Sequence, residues 1–165
     1  MSLNNKQKLI VSQTLNRLHS LESVLGSAEN AILREAIDML TQLDSNSNEV
    51  QLTDHFKLSE FLVSATATLR GITLCPNSYI ISNLISLCRT TLEPARTQLD
   101  GPIFISSGFR NEQLNRAVGG SIRSYHLQGR AADIHCFDNE RLYNILLNLP
   151  HSELIKHPSY IHVAL

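Results

Sequence analysis

Tryptophan is missing from the 165 residues, and aromatic side chains make up only 5% of them. That shortage counts against a platform for stacking single strands or sugars. No sign of charge prevails: 14 Lys and Arg stand against 15 Asp and Glu, a net charge of −1. A strongly basic arm and an acidic tail are both excluded, so no nucleic-acid partner is expected. No apolar run approaches the ~20 residues that span a bilayer, so no membrane insertion is expected. Cysteine is scarce. Cys75, Cys88 and Cys136 are an odd number with no CxxC, which excludes a disulfide framework and a cysteine zinc site. The start, MSLNNKQKLIVSQ, has only a three-residue apolar patch and is no secretory signal.

What is present is an ordinary globular composition, 42% apolar and 18% charged. A chain of about 150 residues buries roughly 70% of its unfolded surface, enough for a core without staples. The expected organisation is one domain with a small helical appendage. Over 5–25, Val11, Leu15, Leu18 and Leu25 recur at helical spacing. Gly26 stops that helix and Ser27 caps the next, where Leu33, Ile37 and Leu40 repeat the pattern over 28–43. This predicts a helical hairpin over 1–44. The polar run DSNSNE from Asp44 to Glu49 is the one candidate boundary, leaving a second domain over 45–165. Further helices are predicted over 58–70 with Ser59 as cap, from after Pro76-Asn77 to about 92 with Pro94 near its end, 111–117 capped by Asn111, and 139–149. Strands are predicted over 103–105, 131–137, 154–156 and 160–164. Helices come first and strands later, without βαβ alternation, so the class is α+β.

Residues that carry chemistry concentrate after Ser106. His126 and Asp133 are seven apart with Gly129 between them. Two ligands on one helix face need three or four. A spacing of seven suits a turn carrying His126, a glycine reversal, and a strand presenting Asp133. His162 lies on the last predicted strand. Two imidazoles and a carboxylate form a three-ligand set that leaves a fourth position for water. Spacing alone leaves a second reading open: seven histidines are enough to produce such a trio by accident. His126 and His162 would then be ordinary hydrogen-bonded histidines.

The letters themselves carry more. Ser124 to Asp133 reads SYHLQGRAAD and fits SxHxxGxAxD at every fixed position. With Ser107-Gly108-Phe109-Arg110 upstream and Ile161-His162-Val163 at the end, the chain resembles the zinc D-alanyl-D-alanine carboxypeptidase family. These are cell-wall peptidases related to the vancomycin-resistance dipeptidases and to phage L-alanyl-D-glutamate endolysins. The resemblance covers residues 54–165; LSEFLVSATATLRGI, LEPAR and the Gly119-Gly120 pair look like the smaller phage-type branch. It implies a Hedgehog/DD-peptidase-like fold, a small antiparallel sheet with flanking helices, preceded here by the hairpin.

The resemblance implies that His126, Asp133 and His162 hold Zn2+. Arg110 matches the arginine that holds the substrate carbonyl and its developing oxyanion. Ser124 matches a serine that helps hold the substrate end. Gly129 and Ala131 are small where the backbone turns and packs. The family's general base is a glutamate a few residues before the last histidine, and here the sequence departs from the pattern. His157-Pro158-Ser159-Tyr160-Ile161 contains no acid, and Glu153 is nine residues back. His157 falls where some relatives place the base, and an imidazole titrates in the right range. Its other reading is a solvent-exposed turn histidine. His135 shares the Asp133 face of an alternating strand and is a candidate outer partner of the site, or a plain surface or core histidine.

The implied activity is a zinc metallopeptidase on peptidoglycan stem peptides, either a D-Ala-D-Ala carboxypeptidase or an L-Ala-D-Glu-type endopeptidase. The alternative is a zinc-binding, catalytically weak or inactive cell-wall-binding or phage structural domain, motivated by the missing glutamate. The implied location is cytoplasmic or phage-associated without a signal peptide, with the cell wall as target. The third rival, a plain helical-hairpin interaction protein with an accidental trio, leaves the ten-residue motif unexplained.

Overall fold

A computed structural model describes residues 10, 11, 13–15, 17, 18, 34, 37 and 50–165. The chain divides into two compact units, Met1–Val50 and Gln51–Leu165. In the first, the described residues from 10 to 18, with 34 and 37, are helical. Leu15 and Ile37 bury against each other, with Val11 and Leu18 packed on them. These are stripe positions of the two predicted helices, which is why they meet. The turn at Gly26-Ser27 and the DSNSNE run lie outside the described residues.

The second unit is α+β. Its elements are a 3-10 turn Leu58–Leu62, α1 Ala65–Arg70, α2 Ser78–Leu87, α3 Glu93–Leu99, β1 Phe104–Ser107, α4 Glu112–Ala117, a 3-10 turn Tyr125–Gln128, β2 Ala131–His135, α5 Asn139–Leu146, β3 Glu153–Lys156 and β4 Ile161–Ala164. The four strands form one antiparallel sheet in the order β1-β2-β4-β3. Alternation along β2 and β4 sends Ala132, Ile134, Ile161 and Val163 to one face, where all four are buried. Leu84, Leu87, Leu92, Leu142 and Leu146 are fully buried as well. Each such side chain contributes about 1.5–3 kcal/mol by leaving water. α3 packs on α5, and β1 on the 3-10 turn Leu58–Leu62.

Three predicted helices are corrected. The one over 58–70 is two elements. A 3-10 turn ends at extended Val63, and Ser64, not Ser59, caps α1 by accepting from the Ala67 N–H. The one ending near Leu92 continues through Pro94 to Leu99. Proline in a helix lacks its N–H and clashes with the carbonyl four residues back. Here the turn Cys88–Leu92 widens to π geometry, with Glu93 N–H donating to the Cys88 carbonyl five residues back. That wider turn absorbs Pro94 without ending the helix. The last helix is regular only to Leu146. The strand predicted over 131–137 stops at His135, because Asp138 turns the chain into α5 by accepting from the Arg141 N–H. Asn111 caps α4, accepting from the Leu114 N–H.

Candidate metal centre

Three separate elements bring the site together. Gly108 abuts the 3-10 turn so closely that a Cβ there would lie 2.5 Å from Phe61 Cα. Only glycine allows this approach, and it lets the Phe109 N–H donate to the Phe61 carbonyl at 2.8 Å. The strand ladder is irregular between Ile105 and Ser107, which sets Ser107 opposite Asp133. His126 sits in the 3-10 turn Tyr125–Gln128, closed by Gly129 in the left-handed region at φ 66°. A Cβ on Gly129 would meet the Ile80 carbonyl oxygen at 2.8 Å. The chain therefore reverses tightly from His126 into β2, as the spacing of seven requires. Asp133 and His162 are direct partners across β2 and β4.

The side chains converge on one oxygen. Asp133 Oδ1 lies 2.8 Å from His162 Nδ1 and 3.3 Å from His126 Nε2. Its other oxygen, Oδ2, accepts from Arg110 Nη2 at 2.9 Å. Arg110 is held in turn by Ser107 Oγ, which accepts from its Nε and Nη2 at 3.2 and 3.1 Å. His126 is 2% exposed and Asp133 is 7% exposed. Burial opposes the charge on Asp133, but hydrogen bonds from and charge on His126 and His162 outweigh it. The carboxyl is held well below its usual range.

The far nitrogens decide what the near ones can do. His126 Nδ1 is 2.6 Å from the Gly108 carbonyl, which can only accept, so Nδ1 carries the proton. His162 Nε2 is 3.1 Å from Glu153 Oε2, again an acceptor when ionised. Asp133 Oδ1 also accepts, so two neutral imidazoles bring two protons to four ring-nitrogen contacts with acceptors, and two contacts are left lone pair against lone pair. Lone pairs facing one another at these distances call for a cation among them, either protons on the rings or a metal ion. The ligand atoms of His126, Asp133 and His162 all lie within 4.8 Å of one another. Two imidazoles and a carboxylate, buried and oriented from behind, fit zinc with an open fourth position.

A family model of Peptidase M15 matches residues 54–164. The chain belongs to the peptidase M15 family. As an M15 domain it is a hydrolase of the metallopeptidase class. No curated protein gives a significant match to the chain. Among the described residues, no helix is long and apolar enough to cross a membrane.

Within the M15 domain, four of the residues singled out in the sequence meet: His126, Asp133, His162 and Arg110. Arg110 spends two of its nitrogens on Ser107 and Asp133, so it braces the carboxylate as well as facing the site. Ser124 precedes the His126 turn, where its carbonyl accepts from the Leu127 N–H at 3.1 Å. His157 lies at the mouth of the β3–β4 hairpin. Its ring stacks on Tyr160 at 4.4 Å, and its N–H donates to the Tyr160 carbonyl. No described hydrogen bond joins its ring to the trio. His135 pairs away from the trio: its Nδ1 is 2.9 Å from Ser106 Oγ, and its ring packs on Phe104.

Ser107, Gly108 and Glu153 join the site through partners that sequence spacing did not assign. Glu153 had a readable signal. With β3 starting one residue earlier than predicted, the hairpin register sets Ile155 opposite His162, and Glu153 falls diagonally beside it on the same face.

Proposed function

We propose that this M15 domain is a zinc-dependent peptidase that cleaves peptidoglycan stem peptides, as a D-Ala-D-Ala carboxypeptidase or an L-Ala-D-Glu-type endopeptidase. The observation that carries the reading is the convergence of two imidazole nitrogens on Asp133 Oδ1, with the ligand atoms of all three residues within 4.8 Å of one another. Zinc, when bound, supplies a Lewis acid that polarises the scissile carbonyl and makes water a nucleophile near neutral pH.

The chain's own groups do the rest. His126, Asp133 and His162 are the ligands. Arg110 keeps Nη1 outside its described bonds to Ser107 and Asp133, and this edge receives the oxygen of the scissile carbonyl as charge develops there. Ser124 helps hold the substrate end. His157 is the proton carrier. Continued alternation from β3 puts it on the face of Glu153, Ile155 and His162. It takes a proton from the attacking water and returns it to the leaving amine.

The test is mass spectrometry of purified peptidoglycan fragments before and after incubation, with and without a chelator. New stem-peptide fragments that vanish with chelator, and with His126→Ala, are expected. A zinc-loaded protein that releases no fragment overturns the peptidase reading in favour of a zinc-binding wall or phage structural domain.

A further inference from the structure

Glu153 lies outside the trio and, on the zinc reading it rests on, has a definite task. We infer that Glu153 is a positioning residue that holds the His162 ring at Nε2 and so keeps its Nδ1 aimed at the metal. The geometry is specific. His162 Nε2 lies 3.1 Å from Glu153 Oε2, while Nδ1 of the same ring lies 2.8 Å from Asp133 Oδ1. A neutral imidazole carries one proton. Both ring nitrogens face carboxylates, so once a metal takes the Nδ1 lone pair the proton belongs on Nε2, where Glu153 accepts it and holds the ring.

Glu153 differs in kind from a general base at this centre. It meets His162 on the nitrogen that points away from Asp133, and so behind the point where the three ligand atoms converge. It also comes from an edge strand, with its side chain 44% exposed, whereas the His162 side chain is 13% exposed. One end of the ring is thus held by a partly exposed carboxylate and the other by a buried one. His126 is oriented by different means, with the Gly108 carbonyl on its Nδ1. The two imidazoles therefore present different nitrogens, Nε2 from His126 and Nδ1 from His162. Each ring is held by an acceptor behind it.

Backbone pairing makes the contact robust. Glu153 and His162 are diagonal neighbours in the β3–β4 ladder, so no loop has to order to bring them together. Ser152 N–H also donates to the Ala164 carbonyl at 2.8 Å, which pins the strand end next to Glu153.

The experiment uses the full chain as parent, Glu153→Gln, Glu153→Ala and His162→Ala. Zinc affinity is measured by competition with a chromophoric chelator. The His162 tautomer is read by long-range ¹H–¹⁵N NMR, in the apo and zinc forms. In the parent, the proton is expected on Nε2 in the zinc form, where the metal takes the Nδ1 lone pair; in the apo form Asp133 Oδ1, 2.8 Å from Nδ1, competes for it. Glu153→Ala is expected to bind zinc 10- to 100-fold more weakly, the scale of losing an outer partner of a ligand. Glu153→Gln keeps an acceptor oxygen and is expected to stay closer to parent than Ala does, in affinity and in the His162 Nε2 resonance. The thermal midpoint of each apo protein reports folding separately, and the near-isosteric Gln variant keeps the comparison valid if Ala is unstable. If Glu153→Ala binds zinc as tightly as parent while His162→Ala does not, the inference is overturned. If the parent binds no zinc, the metal reading fails. In that case the His162 Nε2 resonance still decides the Glu153 contact, because an identical shift in parent and Glu153→Ala overturns it.

Discussion

Replacing His162 by Ala separates a metal centre from a coincidence of histidines. The quantity to follow is the thermal midpoint with saturating zinc minus that with chelator. A ligand at 100 times its dissociation constant stabilises a fold by about 2.7 kcal/mol. Unfolding entropy is about 2.1 cal/mol/K per residue, or roughly 0.24 kcal/mol/K for a unit the size of Gln51–Leu165. The parent midpoint is therefore expected to rise by about 11 °C. Removing His162 deletes a direct ligand, so affinity falls by at least the ~100-fold that outer partners alone command. At the same zinc concentration the remaining gain is about 0.4 kcal/mol, less than about 2 °C. The apo baselines differ little in the comparison, because Asp133 keeps Arg110 and His126 as partners in the variant. Scanning calorimetry in matched buffers gives all four midpoints. An equal zinc-dependent rise in parent and His162→Ala refutes the assignment of His162. No rise in the parent refutes the centre altogether.

Other perturbations test the remaining parts. Arg110→Ala should cut stem-peptide turnover by about 100-fold or more, the scale of one lost oxyanion donor. Arg110→Lys should recover little, since an ammonium cannot bridge Ser107 and Asp133 as the planar fork does; steady-state rates on isolated muropeptides decide this. His157→Ala should keep zinc while turnover falls ~100- to 10,000-fold, and His157→Glu should restore part of it. A His157→Ala rate equal to parent removes it as the proton carrier. Gly129→Ala places a Cβ 2.7 Å from Ile80 Cγ2 at φ 66°. The left-handed conformation alone costs about 1–2 kcal/mol, so urea denaturation should show at least that loss. Burial pushes the Cys88 thiol well above its usual pKa, whereas Cys75 is exposed. An alkylating reagent at neutral pH should therefore label Cys75 in the native protein and Cys88 only after unfolding, which peptide mapping reports.

What was legible in the sequence follows from how locally each feature is encoded. The β2 and β4 strands, the Asn111 cap and the Gly129 reversal are written in neighbouring residues, and the structure has them. The break at Val63-Ser64 was hidden because Ser59 and Ser64 are equally good cap letters. The choice depends on Phe61 being buried under Gly108, a contact distant in sequence. Pro94 reads as a terminus because nothing local announces a π turn. In the site, the trio could be listed but not arranged. How each imidazole is held depends on the Gly108 carbonyl and on Glu153. Both are set by strand register and chain reversal, not by spacing from the histidines.

The direct pairing of Asp133 with His162 has a consequence for which changes this domain can tolerate. On β4 His162 is flanked by Ile161 and Val163, both wholly buried on the opposite face. A shift of one residue in either strand exchanges the faces, driving the imidazole into the apolar layer and turning aliphatic side chains toward the trio. Single-residue insertions or deletions within β2 or β4, or in the short connection 157–160, therefore damage folding and chemistry together. Length variation is confined to segments that leave this ladder in phase. A deletion scan across 131–164 should accordingly show no variant that folds normally yet has lost only its metal.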